Sequence, residues 1–243
     1  MADIYLYTDV PILKNKLDIK DEKTLDLIEA EQSRANMMLL YEQGMDEFSA
    51  DSLCDIHRFL FGDIYEWAGQ CRRINIEKRE ELLAGRSVWY SNDDDIQRDL
   101  EDAFKAIHGI PWDELTREEF VQKLARCFAK VWQVHPFREG NTRAVIAFSV
   151  LLAAKMGIEL DYDLFAEHAA YVRNALVWCT QGMYSKYEYL ENIYYDAAGL
   201  LDDEPKTEPT RTKDYSVLGD YHVSNYQEQP HVYADSNDTG QPE

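Results

Sequence analysis

Residues 135–143 read His-Pro-Phe-Arg-Glu-Gly-Asn-Thr-Arg, and these nine positions gather the groups that act on a polyphosphate. His135 offers an imidazole that can take a proton near neutral pH, and Glu139 a carboxylate suited to a divalent cation. Gly140 lets the backbone come close to an anion, Asn141 adds an amide and Arg143 a guanidinium. A phosphate chain needs N–H donors, positive charge and a divalent ion, and the group that attacks it needs a base. Each residue alone has an ordinary reading: His-Pro ends a helix and Gly-Asn makes a turn. Their joint occurrence between two apolar helical stretches is what carries information.

The elements around this stretch must hold it in place. The residue before a proline avoids the α region and proline cannot extend the hydrogen-bond ladder, so His135-Pro136 closes the preceding helix. Phe137 reads as a buried anchor that holds the loop rigid. A helix opening at Asn141 points its free N–H groups into the loop, with Thr142 and Arg143 on the first turn. The spacing of apolar residues predicts helices over 24–43, 51–61, 93–108, 116–134, 141–156, 163–181 and 186–200. On the first of these the apolar positions are Leu25, Leu27, Ile28, Ala35, Met38 and Leu39, with Asp21 or Thr24 as cap and Gly44 as stop. Thr116-Arg117-Glu118-Glu119 reads as a capping box. Arg72-Arg73-Ile74-Asn75-Ile76 is the most strand-like segment, and residues 74–90 read as a β-hairpin flap. The expected architecture is all-α, one mostly helical domain with this small hairpin. An N-terminal arm and helix occupy 1–50, the main domain 51–200, and an acidic disordered tail 201–243, where apolar residues thin out.

A chain of 243 residues buries a full core, and its formal charge of −21 argues against nucleic acid and anionic membranes as partners. The four cysteines, Cys54, Cys71, Cys127 and Cys179, form no CxxC pair and read as free thiols of a reducing compartment. The N-terminus lacks the pattern of a secretory signal. The longest apolar run, Ala144–Met156, is short of the roughly 18 residues of a membrane span. The expectation is a soluble cytoplasmic protein. His57, His108 and His168 have no second ligand at metal spacing and read as structural. Tyr171 and Asn174, on the helix after the 141–156 helix, are candidates for lining an adenine pocket, against plain packing.

The 135–143 segment resembles the signature of the Fic (Fido-domain) family, His-Pro-Phe-x-Asp/Glu-Gly-Asn-Gly-Arg-x-x-Arg. Upstream, Ile56-His57-Arg58-Phe59-Leu60-Phe61-Gly62-Asp63-Ile64-Tyr65-Glu66-Trp67-Ala68-Gly69 is similar to that family's entry into its flap. Asn75-Ile76-Glu77-Lys78 is similar to the segment before the flap tip. The resemblance covers about residues 51–195, and 1–200 with the arm. It implies a helical fold and AMP transfer from ATP to a Ser, Thr or Tyr hydroxyl of a target protein. Carried over by position, His135 is the general base and Glu139 holds Mg²⁺ between the α- and β-phosphates. Asn141 and the N–H groups around Gly140 and Thr142 steady the α-phosphate, and Arg143 binds the β-phosphate. The target would add a strand along the 74–90 flap.

Two positions depart from the signature. Thr142 stands where its second glycine falls, and Ile146 where its second arginine falls. In the family that arginine binds the γ-phosphate and pairs with an inhibitory glutamate. The inhibitory pattern Ser/Thr-x-x-x-Glu-Gly/Asn also fails at Thr24, where Ile28 takes the glutamate's place. Tyr187 to Asn192 matches it only with tyrosine for the hydroxyl residue. The expectation is therefore regulation by a small separate antitoxin protein. Two alternatives stand beside AMP transfer: a Fic-fold transferase with another donor or kinase-like transfer, and a catalytically silent Fic-fold binding module.

Overall fold

A computed structural model describes residues 3–201 and 213–218, together with the backbone of residues 229–230. The architecture is helical, and its elements run α1 (Glu22–Gln43), α2 (Ala50–Phe61), β1 (Ile76–Glu77), α3 (Ile96–His108), α4 (Arg117–Val134), α5 (Asn141–Lys155), α6 (Tyr162–Glu167), α7 (Ala169–Cys179), α8 (Glu188–Ala197) and β2 (Gln229–Pro230). Helix α5 is the centre: every residue from Ala144 to Ala153 is buried, as a helix apolar on all sides must be. It packs against α2 and α4, with α1 and α6 completing its surround. Helix α4 also carries α3 and α8. The expected tail, 201–243, falls outside the described residues except at 201, 213–218 and 229–230. No helix among the described residues is long and apolar enough to cross a membrane.

Local signals set the ends of these helices. Asp21 caps α1 by accepting the Thr24 N–H at 2.9 Å. At the other end α1 stops on Gly44, whose φ of 67° suits a residue without a Cβ. The capping box at Thr116 and Glu119 is formed in both directions. The buried face of α1 differs from the expected one. It consists of Leu25, Glu29, Ser33, Met37 and Leu40, while Leu27, Met38 and Leu39 are exposed. Two polar residues hold the middle of that face, so apolar periodicity pointed elsewhere.

Two further expectations are corrected. The helix expected over 163–181 is two, α6 and α7, parted at His168, where φ −108° and ψ 34° leave the helical region. Neither proline nor glycine marks this break, so the apolar period runs through it. The flap has no long hairpin arms: it consists of β1, one antiparallel bridge between Glu80 and Arg86, and a 3₁₀ turn over Glu81–Leu83. Residues 77–86 are mostly polar and give no two-residue alternation to pair. The strand partner of β1 is instead β2, antiparallel, with Ile76 opposite Pro230 and Glu77 opposite Gln229. The N-terminal arm folds back on itself through a bridge between Leu6 and Leu13.

Candidate active site

The chain leaves α4 at His135 in the left-handed region, φ 52° and ψ 60°. A non-glycine residue there costs on the order of 1 kcal/mol or more and persists only where its surroundings fix it. Those surroundings are visible. The His135 ring lies 4.1 Å from the Tyr90 ring and edge-on to Trp132 at 5.3 Å. Its carbonyl accepts from Arg72 Nε at 2.9 Å, and the Pro136 carbonyl accepts the Arg72 N–H at 2.7 Å. The same buried guanidinium donates to the carbonyls of Ile74, at 2.6 Å, and Ser91. One side chain thus ties the 135–143 loop to both feet of the flap.

Inside the loop, Asn141 is a cross-brace. Its Oδ1 accepts the Phe137 N–H at 2.9 Å and its Nδ2 donates to the Phe137 carbonyl at 2.8 Å. Phe137 is fully buried and stacks on His57 at 3.8 Å. His57 is buried with both ring nitrogens used: the Gly69 N–H donates to Nδ1, and Nε2 donates to the Glu139 carbonyl, both at 2.9 Å. That pattern requires the neutral ring, and burial, with the Arg143 and Arg58 charges adding to it, pushes its pKa down to about 3. Gly140, at φ 80°, leaves no room for a Cβ, which would sit 2.6 Å from the Phe61 ring. From within the loop, Arg138 reaches outward and donates through Nε and Nη2 to Asp3 of the N-terminal arm at 2.9 and 2.8 Å.

Helix α5 opens at Gly140, so the N–H groups of Asn141, Thr142 and Arg143 have no intrahelical acceptor and face the loop. Glu139 lies beside them, one carboxylate oxygen accepting the Gly140 N–H at 2.9 Å. The Thr142 hydroxyl is turned toward α4, where it accepts the Trp132 indole N–H at 2.9 Å. Arg143 meets Glu29 of α1 through Nη2, Ser33 through Nη1 at 3.3 Å, and the Phe61 ring at 4.7 Å. Glu139 stands 4.0 Å from the same guanidinium. Burial opposes the Arg143 charge, but the Glu29 and Glu139 carboxylates outweigh it and hold its pKa above the usual arginine value. Ile146 is buried in the core. His135, Phe137, Glu139, Gly140, Asn141, Thr142 and Arg143 are therefore brought together.

Tyr171 and Asn174 sit on α7. Tyr171 donates its hydroxyl to the Tyr189 carbonyl at 2.8 Å, and Asn174 Nδ2 donates to the Leu218 carbonyl at 3.2 Å. Asn174 Oδ1 is buried and has no hydrogen-bond partner among the described residues. Their neighbour Arg173 joins α7 to the flap, with Nη2 donating to Glu80 at 2.5 Å and its guanidinium 5.3 Å from the Trp132 ring. Glu191, of the tyrosine-led segment, is engaged by Arg126 and by Gln122 at 3.2 Å. Sequence reasoning missed Glu29, Ser33 and Tyr65 around Arg143, and Arg72 at the flap. The one available signal was a charge set among apolar neighbours.

A divalent cation shared with phosphates needs only one or two protein carboxylates. Glu139, beside the open helix end, fits that need. Among the described residues no group of three His, Cys, Asp or Glu side chains forms a metal cage of its own. All four cysteines are free thiols.

These features define a helical protein with an anion-cradling loop between two core helices, overlooked by a flap. Residues 47–153 match the model of the Fic/DOC family. A Sinorhizobium fredii protein named probable protein adenylyltransferase is 31% identical over 171 residues, covering 66% of this chain and 80% of that protein. A Bartonella henselae protein adenylyltransferase is 31% identical over 183 residues, 71% of this chain but only 34% of its own length. This chain belongs to the Fic/DOC family. It spans about a third of the Bartonella relatives it matches. Among solved structures, the fold is similar to that of a VirB-translocated Bep effector of Bartonella quintana with bound ADP. That structure is of the effector's N-terminal Fic domain, and the likeness has a TM-score of 0.66 and 25% identity over 79% of this chain and 93% of that domain. The Bartonella tribocorum BepC protein with bound AMPPNP shares the fold with a TM-score of 0.68 at 24% identity, over 79% and 95%.

Proposed function

We propose that the chain moves AMP from ATP to a hydroxyl side chain of a target protein and releases pyrophosphate. The observation that carries this reading is the set of α5 N–H groups, the Arg143 guanidinium and the Glu139 carboxylate around one loop, with His135 at its start. His135 takes the proton of the target hydroxyl as its oxygen bonds to the α-phosphorus. The bond from that phosphorus to the oxygen of the β-phosphate breaks, and pyrophosphate leaves with the electron pair. The N–H groups of Asn141 to Arg143 stabilise the α-phosphate, and Arg143 holds the leaving β-phosphate. Asn141 serves through its backbone N–H and through its brace on Phe137. Mg²⁺, when bound, offsets phosphate charge, and Glu139 is the residue to hold it. Thr142 keeps its hydroxyl on Trp132, which leaves its N–H for the phosphate.

The names of the relatives support AMP as the transferred group, and the ligands named for two structural neighbours support a purine nucleotide. On α7, the buried Asn174 Oδ1, unpaired among the described residues, is read as the acceptor for the adenine amino group and Tyr171 as a wall beside it. The target docks along the 74–90 flap by main-chain pairing, a reading supported by β1 taking an antiparallel partner from this chain's own C-terminal part. With Ile146 buried, no second signature arginine is offered to an inhibitory glutamate, so control falls to a separate antitoxin protein.

The test is incubation with labelled ATP, Mg²⁺ and a protein lysate. Label from the α-position on protein, lost in His135→Ala, is the expected result. Label only from the γ-position overturns AMP transfer in favour of a kinase-like reaction.

A further inference from the structure

Helix α1 brings two polar residues to the place where its buried face meets Arg143. That face reads Leu25, Glu29, Ser33, Met37 and Leu40, apolar at both ends and polar in the middle. Glu29 uses both carboxylate oxygens: one accepts from Arg143 Nη2 and the other from the Tyr65 hydroxyl. Ser33 receives Nη1 at 3.3 Å. Tyr65 is itself fixed, stacked on Trp67 at 4.4 Å and 20°. A buried ion pair is poor value for stability compared with apolar side chains of the same size. Its presence in an otherwise apolar stripe calls for a role at Arg143.

We propose that Glu29 is a positioning residue that holds the Arg143 fork from behind and aims its free edge at the phosphate chain. This rests on the reading of Arg143 as a phosphate ligand. The direction of approach decides against Glu29 as a competitor for the phosphate. The Glu29 side chain is only 9% exposed, whereas that of Arg143 is 30% exposed, so the carboxylate sits on the protein side of the guanidinium. Ser33 and the Phe61 ring occupy further protein-facing positions. The Arg143 Nε–H has no hydrogen-bond partner among the described residues and remains for a ligand. Arginine binds phosphate best as a planar fork in fixed orientation, and a carboxylate behind it removes the rotamer freedom that binding would otherwise have to freeze.

The test measures binding of ATP and of AMP, each with Mg²⁺, to the full chain and to Glu29→Ala, Glu29→Gln, Arg143→Ala and the Glu29→Ala/Arg143→Ala double variant. AMP lacks the β-phosphate and reports on the rest of the site. Glu29→Ala is expected to weaken ATP by roughly 10-fold while AMP stays within about 2-fold. Glu29→Gln, which can still accept from Arg143 and donate to Tyr65, recovers most of the loss. The double variant binds ATP no worse than Arg143→Ala alone. Equal losses for ATP and AMP, with a lower Tm, reduce Glu29 to a structural residue and overturn the proposal. Tighter ATP binding in both Glu29 variants also overturns it, because that is the behaviour of a competitor. If Arg143→Ala weakens ATP but Glu29→Ala does not, the positioning role alone fails. If Arg143→Ala binds ATP normally, the phosphate reading of Arg143 fails, and the role of Glu29 with it.

Discussion

The loop at 135–143 and the flap at 74–90 face the same site but are held in opposite ways. The loop is fixed at nearly every residue: Asn141 cross-braces Phe137, His57 stacks under it, Arg138 grips Asp3, and Gly140 fills the last space beside Phe61. The flap is fixed at its feet, where Arg72 binds the carbonyls of Ile74 and Ser91, and near its tip by the Glu80–Arg173 pair. Between them Trp89 stands 88% exposed, and β1 pairs with β2, a strand from outside the flap. Phosphate chemistry demands donors placed to within a fraction of an ångström, which the loop's internal braces provide, whereas a surface proposed to take in another protein's backbone needs an exposed face, such as that of Trp89, more than internal braces.

The loop side of this comparison breaks most severely at Gly140. Gly140→Ala forces a left-handed backbone and a clash with Phe61, and is expected to cost about 2–5 kcal/mol of stability by denaturant unfolding. Arg72→Met strikes both regions at once, because it strands buried carbonyls of the loop and the flap feet. A loss of about 2–4 kcal/mol is expected, with faster amide exchange in both segments. Loss confined to the flap would show that Arg72 does not couple the two regions.

His57 sharpens the comparison through pH. Its ring is neutral when folded, with a pKa of about 3, while in the unfolded chain it titrates near 6.5. Above about pH 6.5 neither state holds the proton, so stability is unaffected. Below it the unfolded chain gains a proton that the fold refuses, and stability falls as pH drops toward 3, by up to about 1.4 kcal/mol per pH unit. The wild-type slope should exceed that of His57→Gln over this window. Equal slopes would mean the ring is not held neutral.

Thr142→Gly is a smaller test. It removes the Trp132 hydrogen bond and is expected to cost about 1 kcal/mol, with ATP bound no more tightly than before. Tighter binding would show that the threonine side chain obstructs the phosphate. On the flap, Trp89→Ala should leave stability within about 0.5 kcal/mol. It should reduce labelling of the target protein while sparing ATP affinity.

The same contrast explains what could be read in the sequence. The loop's chemistry is contiguous, and its flanking helices announce themselves by caps, proline and apolar period, so Thr116, His135-Pro136 and Gly140 mark real boundaries. The central position of α5 follows from its unbroken apolar run. What the sequence hides is contributed from a distance. Glu29 lies 114 positions from Arg143 and Arg72 lies 63 from His135, and a charged residue on a helix or strand reads as solvent-facing until its partner is known. The same effect misassigned the buried face of α1. The flap was harder again, because its strand partner comes from residues 229–230 rather than from its own return arm. The break at His168 carries no proline or glycine to announce it.

In the proposed reaction labour is divided: His135 performs proton transfer while α5 and Arg143 bind the nucleotide. The direct measurement is the rate of AMP transfer to protein and the ATP dissociation constant, taken together on His135→Ala. The expected result is a rate lower by ~10²–10⁴-fold with ATP affinity within about 2-fold of the unaltered chain. Transfer that persists near its original rate, or affinity that collapses in step with the rate, would contradict it.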